Sequence, residues 1–248
     1  MKKEKTDKRT MRRGGFYWID DTPYVTVTTA MKSIAKPALR YWYGKCVWEA
    51  MVLDPGLSQQ EALSAPWKSS KNAMGRGTMV HEIVETWKDT DEFLGEIASK
   101  YKPYAEAFKK WVDDYSVKVL INEKSVISKK HRFAGTFDLL VTIGHEKRPM
   151  IVDIKTGKAI YDDVFVQMSA YHKGLEEMGE IKNIKDIGVA VCNLDTGKDG
   201  KPTGGYTYKE NGADFNVWKA AQTLWGFQNR ELINKINSEL PKKRQYPF

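Results

Sequence analysis

The sequence predicts one α/β domain whose N-terminal half is helical. Two observations carry that prediction. Apolar residues recur at helical spacing up to about residue 115, as in Ala107, Phe108, Trp111 and Val112. From Val117 the pattern changes to alternating, β-rich stretches at 117–127, 133–143 and 150–154, then a helix over 164–178 and a strand over 187–194. No internal repeat or low-complexity linker divides the 248 residues. The expected layout is a basic disordered tail over 1–14, one domain over 15–241 and a second basic tail over 242–248.

Each element has its own signal. Residues 16–20 and 24–27, split by Asp21, Thr22 and Pro23, read as a short hairpin. Thr28 or Thr29 can cap a helix starting near Ala30. Pro37 fits the first turn of a helix running to Leu53. Tyr41, Trp42, Tyr43 and Trp48 wrap that helix; they are assigned mainly to the core, with base stacking by one of them left open. Asp54, Pro55 and Gly56 make a turn. A short helix over 58–63 is expected to break at Ala65 and Pro66. Residues 74–78 then form a loop, and Thr78 is the N-cap candidate for a helix over 79–87. A helix over 103–115 closes the helical half. Gly144 to Pro149 is a turn, so 133–143 and 150–155 should form an antiparallel hairpin. Residues 195–205 are Gly-rich and polar, and 206–209 can pair back on strand 187–194. One last helix spans 213–236, with Phe215, Trp218, Leu224, Trp225 and Phe227 on or near its apolar face.

Composition narrows the class. With 41% apolar residues, 8 Trp and 12 Tyr, the chain can bury a sizeable core. No apolar run approaches the ~18 residues of a transmembrane helix, so no membrane partner is expected. The charged N-terminus has no apolar signal segment. Cys46 and Cys192 form no CxxC pair, which fits a reduced cytoplasmic protein and leaves too few thiolates for a four-cysteine iron–sulfur cluster. The net charge of +8 lies at the ends: residues 1–13 carry +5 and Lys242, Lys243 and Arg244 add +3, so 14–241 is formally neutral. Such ends make non-specific phosphate contacts or stay solvated, and composition does not choose between the two.

The chemistry concentrates in the central hairpin. Asp138 and Asp153 lie in its two arms at similar distances from the turn, so pairing brings their carboxylates together. Asp153 and Lys155 are two apart and share a face, while Ile154 points to the other face and leaves its backbone carbonyl near the acids. Converging carboxylates repel unless a cation lies between them. Oxygen ligands suit a hard ion, Mg²⁺ or Mn²⁺. A neighbouring Lys155 can orient a water or neutralise charge building on a phosphate. Taken alone, Asp153 and Lys155 read best as a surface salt bridge, because so short a match is common. Gly135 three residues before Asp138, Gly157 after the second strand, and Gln167 and Tyr171 on one face of the next helix extend the pattern. Upstream stands Gly77-Thr78-Met79-Val80-His81. A zinc-peptidase reading of His81 fails because H-E-x-x-H is required and position 85 is Glu.

On these residues the chain resembles the PD-(D/E)XK nuclease superfamily, in its RecB-like branch. That branch has G-x-x-D, then (D/E)-x-K, then Q-x-x-x-Y, preceded by G-T-x-x-H. Here these are Gly135 with Asp138, Asp153 with Lys155, Gln167 with Tyr171, and Gly77-Thr78 with His81. The motifs cover residues 75–195, and residues 24–45 look more loosely like phage and mitochondrial relatives. The resemblance implies a restriction-endonuclease-like core, a mixed sheet flanked by helices in the order αβββαβ, within a single nuclease domain. It implies that Asp138, Asp153, the Ile154 carbonyl and His81 hold Mg²⁺ or Mn²⁺, and that Lys155 acts with the two acids in catalysis. Gln167 and Tyr171 brace the site or hold DNA, with Glu123 and Thr78 as further candidates; Glu123 reads equally as an exposed strand residue. The chain departs from those members that carry an iron–sulfur cluster, and it has no helicase motif.

The expected activity is metal-dependent hydrolysis of DNA phosphodiester bonds, by an exonuclease acting on ends or single strands. Recombination, repair or replication in a bacterial or phage-infected cell is the expected setting, with a single-strand-binding or recombination protein as a possible partner. The alternatives are a structure-specific endonuclease and a DNA-binding accessory protein with a vestigial site.

Overall fold

The computed structural model describes residues 10–88, 90–181, 186–197, 201–212 and 214–247. Three short strands open the chain: β1 (Thr10–Arg13), β2 (Phe16–Ile19) and β3 (Thr22–Thr26). They form an antiparallel meander, so the tail expected over 1–14 does not hold for 10–13, and 1–9 lies outside the described residues. Helix α1 (Val27–Ala30) is capped by Thr26, whose side chain accepts from Thr29 N, two or three residues earlier than the Thr28 or Thr29 cap expected. Helix α2 runs over Pro37–Leu53 as predicted, with Pro37 in its first turn.

Helix α3 (Gln59–Glu85) differs most from expectation. Where a short helix, a break and a loop were expected, one 27-residue helix runs through Pro66 and through Gly75-Arg76-Gly77. Its start is fixed by a capping box, in which Ser58 and Glu61 each bond the other's backbone N–H. Thr78 is therefore no N-cap; its hydroxyl donates back to Met74 O at 3.1 Å. Sequence reading also missed α4 (Asp91–Glu96), whereas α5 (Lys102–Asp114) lies close to where it was expected.

Strands β4 (Lys118–Ser128), β5 (Phe133–Ile143) and β6 (Arg148–Lys155) follow, then α6 (Asp163–Met178), β7 (Gly188–Thr196) and β8 (Pro202–Glu210). The single helix expected over 213–236 is two, α7 (Phe215–Gln228) and α8 (Arg230–Ser238), separated at Asn229. Its apolar face is also narrower than expected: Trp218 and Trp225 are buried, but Leu224 and Phe227 are exposed.

The architecture is mixed α/β, with an eight-stranded sheet flanked by helices. β4, β5 and β6 are successively antiparallel, and β7 joins β6 in parallel after the crossover helix α6. Counting α3 before the strands, this is the αβββαβ order expected. One core packs Phe133, Phe137, Leu140 and Ile151 against α6, α7 and the N-terminal strands. The other packs Leu139, Val141, Val152 and Ile154 against Val80 and Val84 of α3 and Phe108 and Trp111 of α5.

Two further expectations fail. Helix α2 has no buried residue. Tyr41 and Trp48 are exposed, while Trp42 and Tyr43 are half-buried and stack edge-on with each other. The C-terminal tail is docked rather than solvated. Arg132 donates to the carbonyls of Arg244 and Gln245, and Tyr246 is buried beside Phe16 and Trp225.

Candidate active site

The site lies where the sheet divides along one edge of β5. Strand β3 pairs in parallel with β5 only at Phe133 and Ala134, while β6 pairs with it from Leu139 to Ile143. Residues 135–138 of that edge belong to neither ladder, which leaves a notch. Asp138 stands at its inner end. Continuing the register from Leu139 and Val152 sets Asp138 opposite Asp153. In place of a backbone pair, Asp138 Oδ2 accepts from Ile154 N at 2.7 Å. The N–H and C=O of one residue in an extended strand share an edge, so the Ile154 carbonyl faces the Asp138 side.

Strand β5 also changes phase at this point. Strict alternation would put residues 137 and 139 on one face, yet Phe137 joins the first core and Leu139 the second. On β4, Asn122 pairs with Leu139 and Lys124 with Phe137, which sets Glu123 opposite Asp138. Glu123 has φ 46°, a left-handed conformation uncommon for a residue with a side chain. Irregularities of this kind re-aim side chains beside functional sites.

Four titratable groups meet in the notch. Lys155 Nζ lies 2.5 Å from Asp153 Oδ2. The ammonium is the cation that this almost wholly buried carboxylate meets. His81 Nδ1, from the last two turns of α3, lies 3.4 Å from Asp138 Oδ1. Burial pushes the Asp153 carboxyl up to about 6; the Lys155 charge opposes this, and the Asp138 charge adds to it. Burial alone would lower the His81 imidazole, but its contact with Asp138 outweighs this and raises it. Lys155 is likewise raised, because Asp153 and Asp138 outweigh the cost of burial, so it remains an ammonium.

Behind the acids, Gln167 and Tyr171 of α6 form a pair, Nε2 donating to the phenolic oxygen at 2.9 Å. Tyr171 is buried, and burial pushes its phenol far up, so it stays protonated. Its ring explains Gly135. A Cβ there would come within 2.6 Å of Tyr171 Cε1 and 2.9 Å of Val27 Cγ2, so only glycine lets α6 approach this closely.

The structure thus brings together His81, Asp138, Asp153, Lys155 and the Ile154 backbone, with Gln167 and Tyr171 packed behind. Glu123 lies opposite Asp138 and is exposed. Thr78 is exposed and bonded within its own helix. Among the described residues, no group of three or more His, Cys, Asp or Glu side chains is set to hold a metal ion. The oxygen donors nevertheless fit a hard cation. The Asp138 and Asp153 carboxylates stand close enough for one charge to raise the other's pKa, a state that favours a positive charge between them.

Sequence reading missed two polar contacts at the end of β6. Arg76 Nη2 donates to Thr156 O at 3.4 Å. Asn193, buried on β7, holds both polar groups of the Gly157 peptide. The available signals were an arginine between two glycines and a polar residue inside an apolar strand.

No family model and no curated protein matches this chain. Among solved structures, an alkaline exonuclease (LHK-Exo) from Laribacter hongkongensis is similar over 87% of this chain and 91% of its own, at 14% identity and a TM-score of 0.37. The same protein in complex with dAMP gives the same values. SSO0001 is similar over 96% of this chain and 90% of its own, at 8% identity and a TM-score of 0.35. Likenesses this distant carry no functional argument, and the fold described here rests on the strand order itself.

Proposed function

We propose that this chain is a Mg²⁺- or Mn²⁺-dependent deoxyribonuclease of the RecB-like PD-(D/E)XK type, acting as an exonuclease on DNA ends or single strands. The observation that carries the reading is convergence. His81, Asp138, Asp153 and Lys155 come from α3, β5 and β6 and meet in one notch. A divalent ion held by Asp138, Asp153 and the Ile154 carbonyl, with His81 beside it, would supply Lewis-acid activation of water and of the phosphate.

The chain's own groups have definite tasks. Lys155, kept as an ammonium, places a water against the phosphorus and neutralises charge that builds on the phosphoryl oxygens. It cannot serve as the base in this state. Asp138 holds the Ile154 amide and so fixes where the strand opens. The Gln167 and Tyr171 pair braces α6 against Gly135 and keeps the notch in shape. DNA is the proposed partner, and the basic ends of the sequence are available for phosphate contacts.

The test uses end-labelled linear and closed circular single-stranded DNA with Mg²⁺, with Mn²⁺ and with chelator. Progressive shortening of linear strands, stopped by chelator, with circles left intact, is expected. Cutting of closed circles would replace the exonuclease reading by an endonuclease. DNA binding with no metal-dependent cleavage would replace both by an accessory protein.

A further inference from the structure

We infer that Asn193 is a positioning residue for Lys155, acting through the Gly157 peptide; its consequence for rate rests on the nuclease reading above, but the contact itself does not. Lys155 is the last residue of β6. On its β5 side the ladder has already ended at Val152. On the other side Lys155 pairs with Asn193 of β7. Beyond Lys155 the chain leaves the sheet, so the end of the strand needs another restraint.

Asn193 supplies it. Its Oδ1 accepts from Gly157 N at 3.0 Å, and its Nδ2 donates to Gly157 O at 3.0 Å. The side-chain amide thus gives Gly157 the two-bond pairing that a neighbouring strand would give. Nδ2 also donates to Asp195 Oδ1 at 2.9 Å. A carboxylate only accepts, so this bond fixes which way round the amide sits. Asp195 Oδ2 accepts in turn from the Thr207 hydroxyl of β8 at 2.9 Å, tying the arrangement to the sheet. Arg76 of α3 also reaches the neighbouring Thr156 carbonyl.

Burial makes this amide costly unless its hydrogen bonds are made. Asn193 is 1% exposed, between the fully buried Cys192 and Leu194. An apolar side chain would fill such a place; an amide is accounted for by the peptide it holds. Gly157 does not restrain the turn by itself. A Cβ on it would make only ordinary contacts, the nearest 3.7 Å from Ala159 O. The clamp therefore determines where β6 ends, and with it where the Lys155 ammonium stands relative to Asp153.

The test compares Asn193→Ala with Cys192→Ala in the full chain. Cys192 neighbours Asn193 on the same strand but faces the α3–α5 core, so its loss controls for general loosening. One readout is acylation of Lys155 by an amine-reactive ester in metal-free protein, followed by peptide mass spectrometry. The other is kcat and KM on a single-stranded oligonucleotide with Mg²⁺. Asn193→Ala is expected to raise Lys155 acylation about tenfold and to lower kcat on the order of 10- to 100-fold with KM little changed. Cys192→Ala moves neither. Asn193→Ser cannot span the Gly157 peptide; it gives the same two shifts and serves if the alanine variant does not fold. Unchanged Lys155 acylation in the Asn193 variants, or an equal rise in Cys192→Ala, overturns the inference. Wild-type protein that cleaves no DNA refutes the nuclease reading instead, and the acylation readout still decides the clamp.

Discussion

Asp153 shows how one residue can be both costly and useful. It is almost wholly buried, and its carboxyl is pushed up to about 6 by burial. A folded-state pKa above the unfolded value of 3.8 means that folding favours the protonated form. Its stabilising contribution is therefore full below pH 3.8 and is lost as pH rises towards 6. His81 is raised as well, so its contribution is lost in the same direction, above its usual 6.5. Chelator-treated protein should therefore melt lower at pH 7 than at pH 5, and Asp153→Asn should shrink that difference. A bound cation reverses the preference, so the rise in Tm on adding Mg²⁺ should be larger at pH 7 than at pH 5. Calorimetry at the two pH values, with and without Mg²⁺, checks both signs. Gly135 is the second test at this scale. Gly135→Ala sets a methyl against Tyr171 and Val27 and should cost about 1–3 kcal/mol, read from the urea midpoint.

Among the elements, strands β4 to β7 and α6 were legible because each combines a clear period with a turn signal. Strands β5 and β6 flank the turn that opens at Gly144, and α6 begins after Asp162. Helix α3 was not legible. Pro66 and two glycines predict breaks, but buried contacts of Ala62, Pro66, Val80, Ile83 and Val84 and the Ser58–Glu61 capping box outweigh those local preferences. The C-terminal segment was misread for the opposite reason. Three successive basic residues suggest a solvated tail, but Tyr246 beyond them anchors it. Gln222 Nε2 donates to the Tyr246 hydroxyl at 2.8 Å, and Asn237 bonds its backbone at both ends. Tyr246→Ala should therefore cost about 3–5 kcal/mol, as for a large buried aromatic residue, measured by denaturant unfolding. At the site, Asp138, Asp153 and Lys155 could be read as a pattern because strand alternation and hairpin register are local rules. Asn193 could not, because its contact depends on a parallel pairing made across the α6 crossover.

For the whole molecule, the sheet is the device that makes a distributed site possible. Two layers of helices pack on it, and α3 carries His81 from one layer to acids that the hairpin presents at the notch. No described helix is long and apolar enough to cross a membrane. The central claim is that this notch hydrolyses DNA through Asp138, Asp153 and Lys155. The most direct measurement is the initial rate of cleavage of linear single-stranded DNA in Mg²⁺ by wild-type and Lys155→Ala protein at equal DNA occupancy. The account predicts a loss on the order of 10²- to 10⁴-fold in the variant, with DNA binding retained. Cleavage by Lys155→Ala at the wild-type rate, or cleavage indifferent to chelator, would contradict it.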